Sequence, residues 1–310
     1  MDSIHQAAFR LYYNSHIHPD LLRAEQLRLR LVRLLLLSLL FGLTLLGLAI
    51  YLDLAAFTLF ITLPTGFYIA YLGWRLRLFR QATKRNLVQL ILHFMYTELH
   101  YEQLYYDPQK YISKELFLQS GIFDTSADLY EGGDYITGRI GMMPFVLSEL
   151  AVKEISPLAN RLQAVFEGQF VYALFGEEAE GGLVLWPRRH KPQLSRSIKA
   201  FVLRGGSNCD DEIAHDGLRA RYMVYATEDT HVAGLLTEPM QAAIMAYTER
   251  TGRDLYLAFR NREIFAGLAS QRGLLEPSIL SSNLRFDWVW AYYQDIALIL
   301  KIVEVFDQTH

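Results

Sequence analysis

The densest gathering of potentially reactive side chains is the segment between Gly205 and Gly217, which carries Cys209, Asp210, Asp211, Glu212, His215 and Asp216. Its carboxylate oxygens are the hard donors a divalent cation prefers. Cys209 with His215 is the residue pair from which a nucleophilic thiolate could be made. Cys209, Asp211 and His215 are therefore the candidate metal or catalytic residues, although an acidic loop is ordinarily solvated surface. Zinc finds no support, because Cys209 is the single cysteine and no paired histidine spacing accompanies it. Two further histidine groups are looser. His93 and His100 are seven residues apart beside Glu98, without the His-Glu-x-x-His spacing, and His16 and His18 precede Pro19. The run Arg188, Arg189, His190, Lys191 follows an apolar stretch and reads either as an exposed turn or as a contact for lipid headgroups. Gly133–Arg139 (GDYITGR) imitates a phosphate loop, but arginine stands where lysine should and the segment leads into a strand. Phosphate loops open a helix whose N-terminus holds the phosphate. Nothing in the sequence calls for a cofactor.

The elements that would position these groups begin with two uncharged runs, Leu34–Leu52 of 19 residues and Leu54–Trp74 of 21, separated by Asp53. As helices they would be roughly 28 and 31 Å long, near the ~30 Å thickness of a bilayer's hydrocarbon core. The reading is a two-helix transmembrane hairpin. Arg23, Arg28, Arg30 and Arg33 precede it, Arg75, Arg77, Arg80, Lys84 and Arg85 follow it, and the turn has no cation. An excess of cations on the cytoplasmic side places both chain ends inside. Arg28, Arg30, Arg33, Arg75, Arg77, Arg80, Lys84 and Arg85 are the expected contacts for lipid headgroups. Ser38 with Gly42, and Gly66 with Ala70, have the small-xxx-small spacing that permits close helix approach, within the hairpin or between copies in a homo-oligomer. Pro64 is expected to kink or loosen the second span. Neither span holds Asp, Glu, Lys, Arg or His, so an anchor is favoured over a transport path.

Residues 1–85 carry ten Lys or Arg against four acids, so with a total of −3 the rest of the chain sums to −9. An acidic body argues against nucleic-acid binding. One cysteine rules out an intramolecular disulfide and suits a reducing compartment. No cleavable leader is expected, because about 30 residues precede an apolar run too long for a signal peptide's core.

Four regions follow: 1–33 as a cytoplasmic N-terminal segment, 34–74 as the hairpin, 75–106 as a juxtamembrane helix, and 107–310 as a cytoplasmic domain. The juxtamembrane helix has an apolar face of Leu76, Phe79, Leu87, Leu90, Ile91, Phe94 and Met95. In the last region the pattern gives a short Ser113-capped helix, strands over 135–140 and 145–155, and a second strand pair over 169–175 and 183–186. Beyond these come a helix over 195–203, a strand over 219–227, a Thr237-capped helix over 238–251 ending at Gly252, a hairpin around Asn261-Arg262, and a helix over 286–306. The fold class is α+β, with mostly antiparallel strands and flanking helices.

The order of several segments resembles a known family. Tyr111–Phe123 (YISKELFLQSGIF), Glu131–Val152 (EGGDYITGRIGMMPFVLSELAV), Phe166–Phe175 (FEGQFVYALF), Ala220–Ile244 (ARYMVYATEDTHVAGLLTEPMQAAI) and Leu274–Ser282 (LLEPSILSS) are similar to domain of unknown function 3137, an uncharacterised bacterial family. The Gly205–Gly217 loop departs from that pattern. The resemblance implies a two-span N-terminus, no attached enzyme activity, and a membrane-associated complex, since members are sometimes encoded near LemA-type membrane proteins. The functional expectation is a non-enzymatic inner-membrane protein whose cytoplasmic domain binds a protein partner or organises an oligomer. The alternatives are a membrane-anchored hydrolase using residues 205–217 and an oligomeric channel or membrane-shaping protein.

Overall fold

The computed structural model describes residues 3–52, 55–99, 101–156, 160–175, 181–270 and 275–309. The chain divides into two compact units, one of Met1–Phe94 with Leu275–Tyr292 and one of Met95–Leu274 with Tyr293–His310.

The first unit is helical. Helix α1 (Ser3–Tyr12) runs through a π-helical turn (Tyr13–Ile17) into α2 (His18–Tyr51), and α3 spans Ala55–Leu99. Asp53, the expected turn of the hairpin, lies outside the described residues. The helix His5–Tyr51 contains an 18-residue window of mean hydropathy 2.4, none of it buried within the protein. Among the described residues it is the one helix long and apolar enough to cross a membrane. Its large side chains, such as Leu37, Leu40, Phe41 and Leu43, point outward. Hydrocarbon surroundings satisfy such a surface, whereas water does not.

Helices α2 and α3 pack antiparallel: a Cβ on Gly42 would stand 3.2 Å from Thr65 Cγ2, and farther along, Leu31 packs with Leu72, Leu76 and Phe79. Helix α3 runs through Pro64 without a break, so the expected loosening does not interrupt it. The apolar face read from the sequence is buried at Leu76, Phe79, Leu87, Ile91 and Phe94. Phe9 of α1 meets Phe94 edge-on at 5.0 Å, and Phe9 and Tyr13 reach Trp290 and Phe286 at 5.2 Å each. The helix does not continue to Tyr106 as expected. Residues Glu102–Asp107 form strand β1, and Gln103 at φ 54° marks an irregularity in its register. The aromatic run that looked like a helix end is better satisfied on a pleated edge, where Tyr106 Oη donates to Asp134 Oδ1 at 2.6 Å.

Among the described residues, the second unit is built on one nine-stranded antiparallel sheet, in order β1-β2-β3-β4-β9-β8-β5-β7-β6. The strands are β2 (Leu129–Ile140), β3 (Met143–Ile155), β4 (Leu162–Leu174), β5 (Gly182–Pro187), β6 (Gly206–Asn208), β7 (Tyr222–Thr227), β8 (Leu255–Arg260) and β9 (Glu263–Ala269). The helices are α4 (Lys114–Gln119), α5 (Ser195–Leu203), α6 (Asp216–Arg221), α7 (Val232–Leu235), α8 (Glu238–Thr251) and α9 (Phe286–Thr309). Helix α9 is divided between the two units at Tyr292.

Helix α4 starts at Ser113, whose hydroxyl accepts from Leu116 N, and α8 ends at Gly252 in the left-handed conformation that glycine adopts without strain. Thr237 precedes α8 as expected, but its hydroxyl makes no capping bond. One face of the sheet is lined by Phe166, Phe170, Trp186, Met223, Tyr256 and Phe265, covered by Phe117, Ile122 and Phe123. Trp186 is fully buried, and its indole nitrogen donates to Ile122 O at 2.9 Å.

The stretches read as one strand pair, 169–175 and 183–186, are not neighbours. Strand β4 pairs with β3 and β9, while β5 lies between β8 and β7. Strand β5 is buried at every residue, which suits the sheet's interior; proximity in sequence suggested the wrong partner. The connecting residues 176–180 lie outside the described ones. Gly168 allows β4 to meet β9: it holds φ +147°, and a Cβ there would be 2.0 Å from Leu268 O.

Candidate functional site: a basic corner beside an acidic loop

The acidic segment does not gather its candidates around one point. Residues 210–212 form a single 3-10 turn after β6. Asp210, which sequence reasoning did not single out, is the structural member. One carboxylate oxygen accepts from Val224 N at 2.8 Å, and the other meets Arg188 Nη2 at 2.7 Å. Asp211 is exposed. His215 caps α6, its Nδ1 accepting from Leu218 N at 3.3 Å. That helix replaces the strand expected from Arg219, because the cap and the Asp216–Arg219 ion pair favour a turn, and the strand starts only at Tyr222. Cys209 Sγ contacts Ser207, 3.5 Å from its carbonyl oxygen, and among the described residues His215 bonds Leu218 N instead of the thiol. Burial pushes its thiol pKa up, the opposite of what a nucleophile needs. Among the described residues, no group of three or more His, Cys, Asp or Glu is placed to hold a metal ion.

The Gly133–Arg139 segment lies inside β2, and a Cβ on Gly138 would come within 2.7 Å of Leu104 and 3.0 Å of the Phe145 ring. Its glycine serves strand packing. His93 lies in α3, its ring 6.3 Å from that of Tyr12, and His16 stacks on Tyr12 at 4.5 Å. His100 lies outside the described residues.

The basic run is more organised than its sequence indicates. Strand β5 ends at Pro187, β7 begins at Tyr222 opposite it, and β8 begins at Leu255, so three neighbouring strands terminate together at one end of the sheet. A 3-10 turn, Arg188–His190, follows β5 directly. Arg188 uses a single nitrogen, Nη2, for three bonds: to Asp210 and to the carbonyl oxygens of Arg219 at 2.9 Å and Tyr222 at 2.8 Å. Arg189 Nη2 and His190 Nε2 both meet the same oxygen, Oδ2, of the buried Asp254. Arg188, Arg189 and Asp254, together with Arg221, Thr248 and Gly252, line a cleft of 460 Å³. Tyr222, in its wall, bonds Thr248 Oγ1 at 2.6 Å, and burial raises its phenol pKa.

In the helical unit, the arginines expected at lipid headgroups divide into two sets. Arg30, Arg33, Arg75, Arg77 and Arg85 are exposed. Arg28 is buried: it forms a two-pronged pair with Glu25 at 2.9 and 2.7 Å and donates to Ile279 O at 2.6 Å. It is not presented to a lipid surface. Arg80 and Lys84 both pair with Glu276, at 3.1 and 3.0 Å. These contacts tie residues 276–283 to α2 and α3, a role invisible in sequence because the partners are so far apart along the chain. Of the small residues, Gly42 faces Thr65, whereas a Cβ added to Gly66 would meet nothing within 4 Å, and Ala70 is exposed.

Residues 164–308 match the family model of DUF3137, described as a protein of unknown function. Over those residues, a little under half of the chain, the protein is similar to the DUF3137 family. The basic corner, the acidic loop, α8 and most of α9 all lie inside the DUF3137 region. No curated protein and no solved structure gives a significant match.

Proposed function

We propose that this is a membrane-anchored, non-enzymatic protein of the bacterial inner membrane whose sheet domain binds a protein partner or organises an oligomer. The observation that carries the reading is the outward-facing apolar window of His5–Tyr51, on a chain whose other unit is a folded sheet with its large side chains turned inward. In this reading the first, apolar half of α3 is a second span antiparallel to α2, and both chain ends face the cytoplasm. The cation-free turn and the exposed arginines on the other side support that sidedness. An apolar tip supports a protein contact: Ile155 and Leu162 face each other across the β3–β4 ladder, and both remain about half exposed. The open sheet edges at β1 and β6 are further surfaces a partner strand could extend.

The test is native mass spectrometry after extraction in mild detergent. Assemblies of more than one chain, or a stoichiometric LemA-type membrane protein, are expected, and replacing Ile155 and Leu162 by Glu should release them. A single unassociated chain would overturn the partner reading. Sidedness is read separately, from an Asp53→Cys change in a Cys209→Ser background. An impermeant maleimide should label it from the outer face of intact cells.

A further inference from the structure

We infer that the cleft at the joint end of β5, β7 and β8 is a binding site for a phosphate group, with Arg188, Arg189 and Arg221 as its ligands; this does not depend on the partner-binding reading. The first argument is charge. Three guanidiniums line or border the cleft against two carboxylates, Asp210 and Asp254, and one oxygen of Asp254 serves both Arg189 and His190. That leaves local positive charge uncompensated in a stretch of chain, residues 86–310, that sums to −9. Like charges crowded together are costly unless an anion joins them.

The second argument is geometry. A guanidinium has five N–H donors in a planar fork. Arg188 commits only Nη2, although to three acceptors, and so is held in place with Nε and Nη1 still available. Arg189 commits only Nη2, to Asp254. Arg221 makes no side-chain ion pair or hydrogen bond among the described residues. Two arginines are thus oriented by their own carboxylates, and both keep donor edges for an incoming ligand. Pre-orientation of this kind lowers the entropy cost of binding.

The third argument is selectivity. With Asp254 and Asp210 in or beside the wall, a singly charged carboxylate gains little net attraction. A compact phosphate monoester brings up to two charges and enough oxygens to engage two forks at once. The 460 Å³ cleft exceeds the size of inorganic phosphate and has room for the group it is attached to.

The full-length protein in detergent micelles is titrated with inorganic phosphate at constant ionic strength, with chloride as the balancing salt, by calorimetry and thermal unfolding. A parallel arm uses nanodiscs of phosphatidylcholine with and without phosphatidic acid and no free phosphate. Saturable binding of inorganic phosphate, or a rise in unfolding temperature that depends on phosphatidic acid, supports the site and tells a free ligand from a lipid headgroup. The Arg189→Gln/Arg221→Gln double variant should weaken either by about tenfold or more, the loss of one or two charge-assisted contacts. Should that variant misfold, Arg221→Gln alone removes no intramolecular bond and should still weaken binding severalfold. No phosphate-specific effect in either arm, or equal affinity in a folded variant, overturns the inference.

Discussion

The two units of this protein use the same apolar residues in opposite senses. In the sheet domain Trp186, Phe170 and Phe265 are sealed between strands and covering loops. In α2 and the first half of α3, leucines and phenylalanines of comparable size face outward, with Phe60 83% and Phe67 70% exposed. The sheet domain is therefore held together by removing apolar surface from water. The outer surface of the long helices gains nothing from folding alone, and under the proposed anchoring it would be covered by lipid. What distinguishes the units is where each puts its large apolar side chains.

The largest expected effect tests that contrast directly. Trp186→Ala empties a fully buried site and should cost roughly 3–5 kcal/mol in denaturant unfolding of the sheet domain. Leu40→Ala, on the outward face of α2, should leave stability in lipid bilayers nearly unchanged, and equal losses would erase the distinction. A charge probes the other side of it. Leu43→Arg places a cation in the middle of the apolar run at a cost of about 2.5–3.5 kcal/mol for insertion, so the variant should shift to the carbonate-soluble fraction. Full membrane retention would sink the anchor.

Two glycines sharpen the comparison. Gly168→Ala should destabilise the sheet by more than about 1 kcal/mol, because its left-handed φ and the Leu268 carbonyl leave no space for a methyl group. Gly66→Ala has open space and helical backbone, and should be neutral or stabilising by up to about 1 kcal/mol. A penalty at Gly66 would instead reveal a second helix packed there.

The smallest effect concerns pH. Burial raises the pKa of the Asp295 carboxyl, although Arg253 at 2.7 Å pulls the other way. A raised native pKa means the folded form holds the proton more tightly. Stability from this group is then present at low pH and declines as pH rises from the ordinary carboxyl value, about 4, to the raised one. Asp295→Asn should flatten that part of the pH–stability curve, and an unchanged curve would show that the ion pair cancels the burial.

Much of the architecture was legible from short-range pattern. Ser113 as a cap, Gly252 as a stop, the Asn261 turn at φ 51° and the apolar face from Leu76 to Phe94 are local or periodic signals, and each appears where expected. The site was legible only in part. The basic run was visible, yet nothing local connects Arg189 and His190 with Asp254, or Arg188 with Asp210. The acidic loop drew notice by composition, but its members point to different partners.

The sequence by itself determined which stretches are uncharged and long enough for a membrane, the α+β class and the similarity to DUF3137, because these depend on composition, period and segment order. Only the tertiary structure decided that β4 and β5 part company, that Arg28 turns inward to Glu25 and Ile279, and that three strand ends gather arginines around one cleft. Each of those outcomes rests on contacts between residues distant in the chain, where sheet order and burial select among partners that local pattern leaves equivalent.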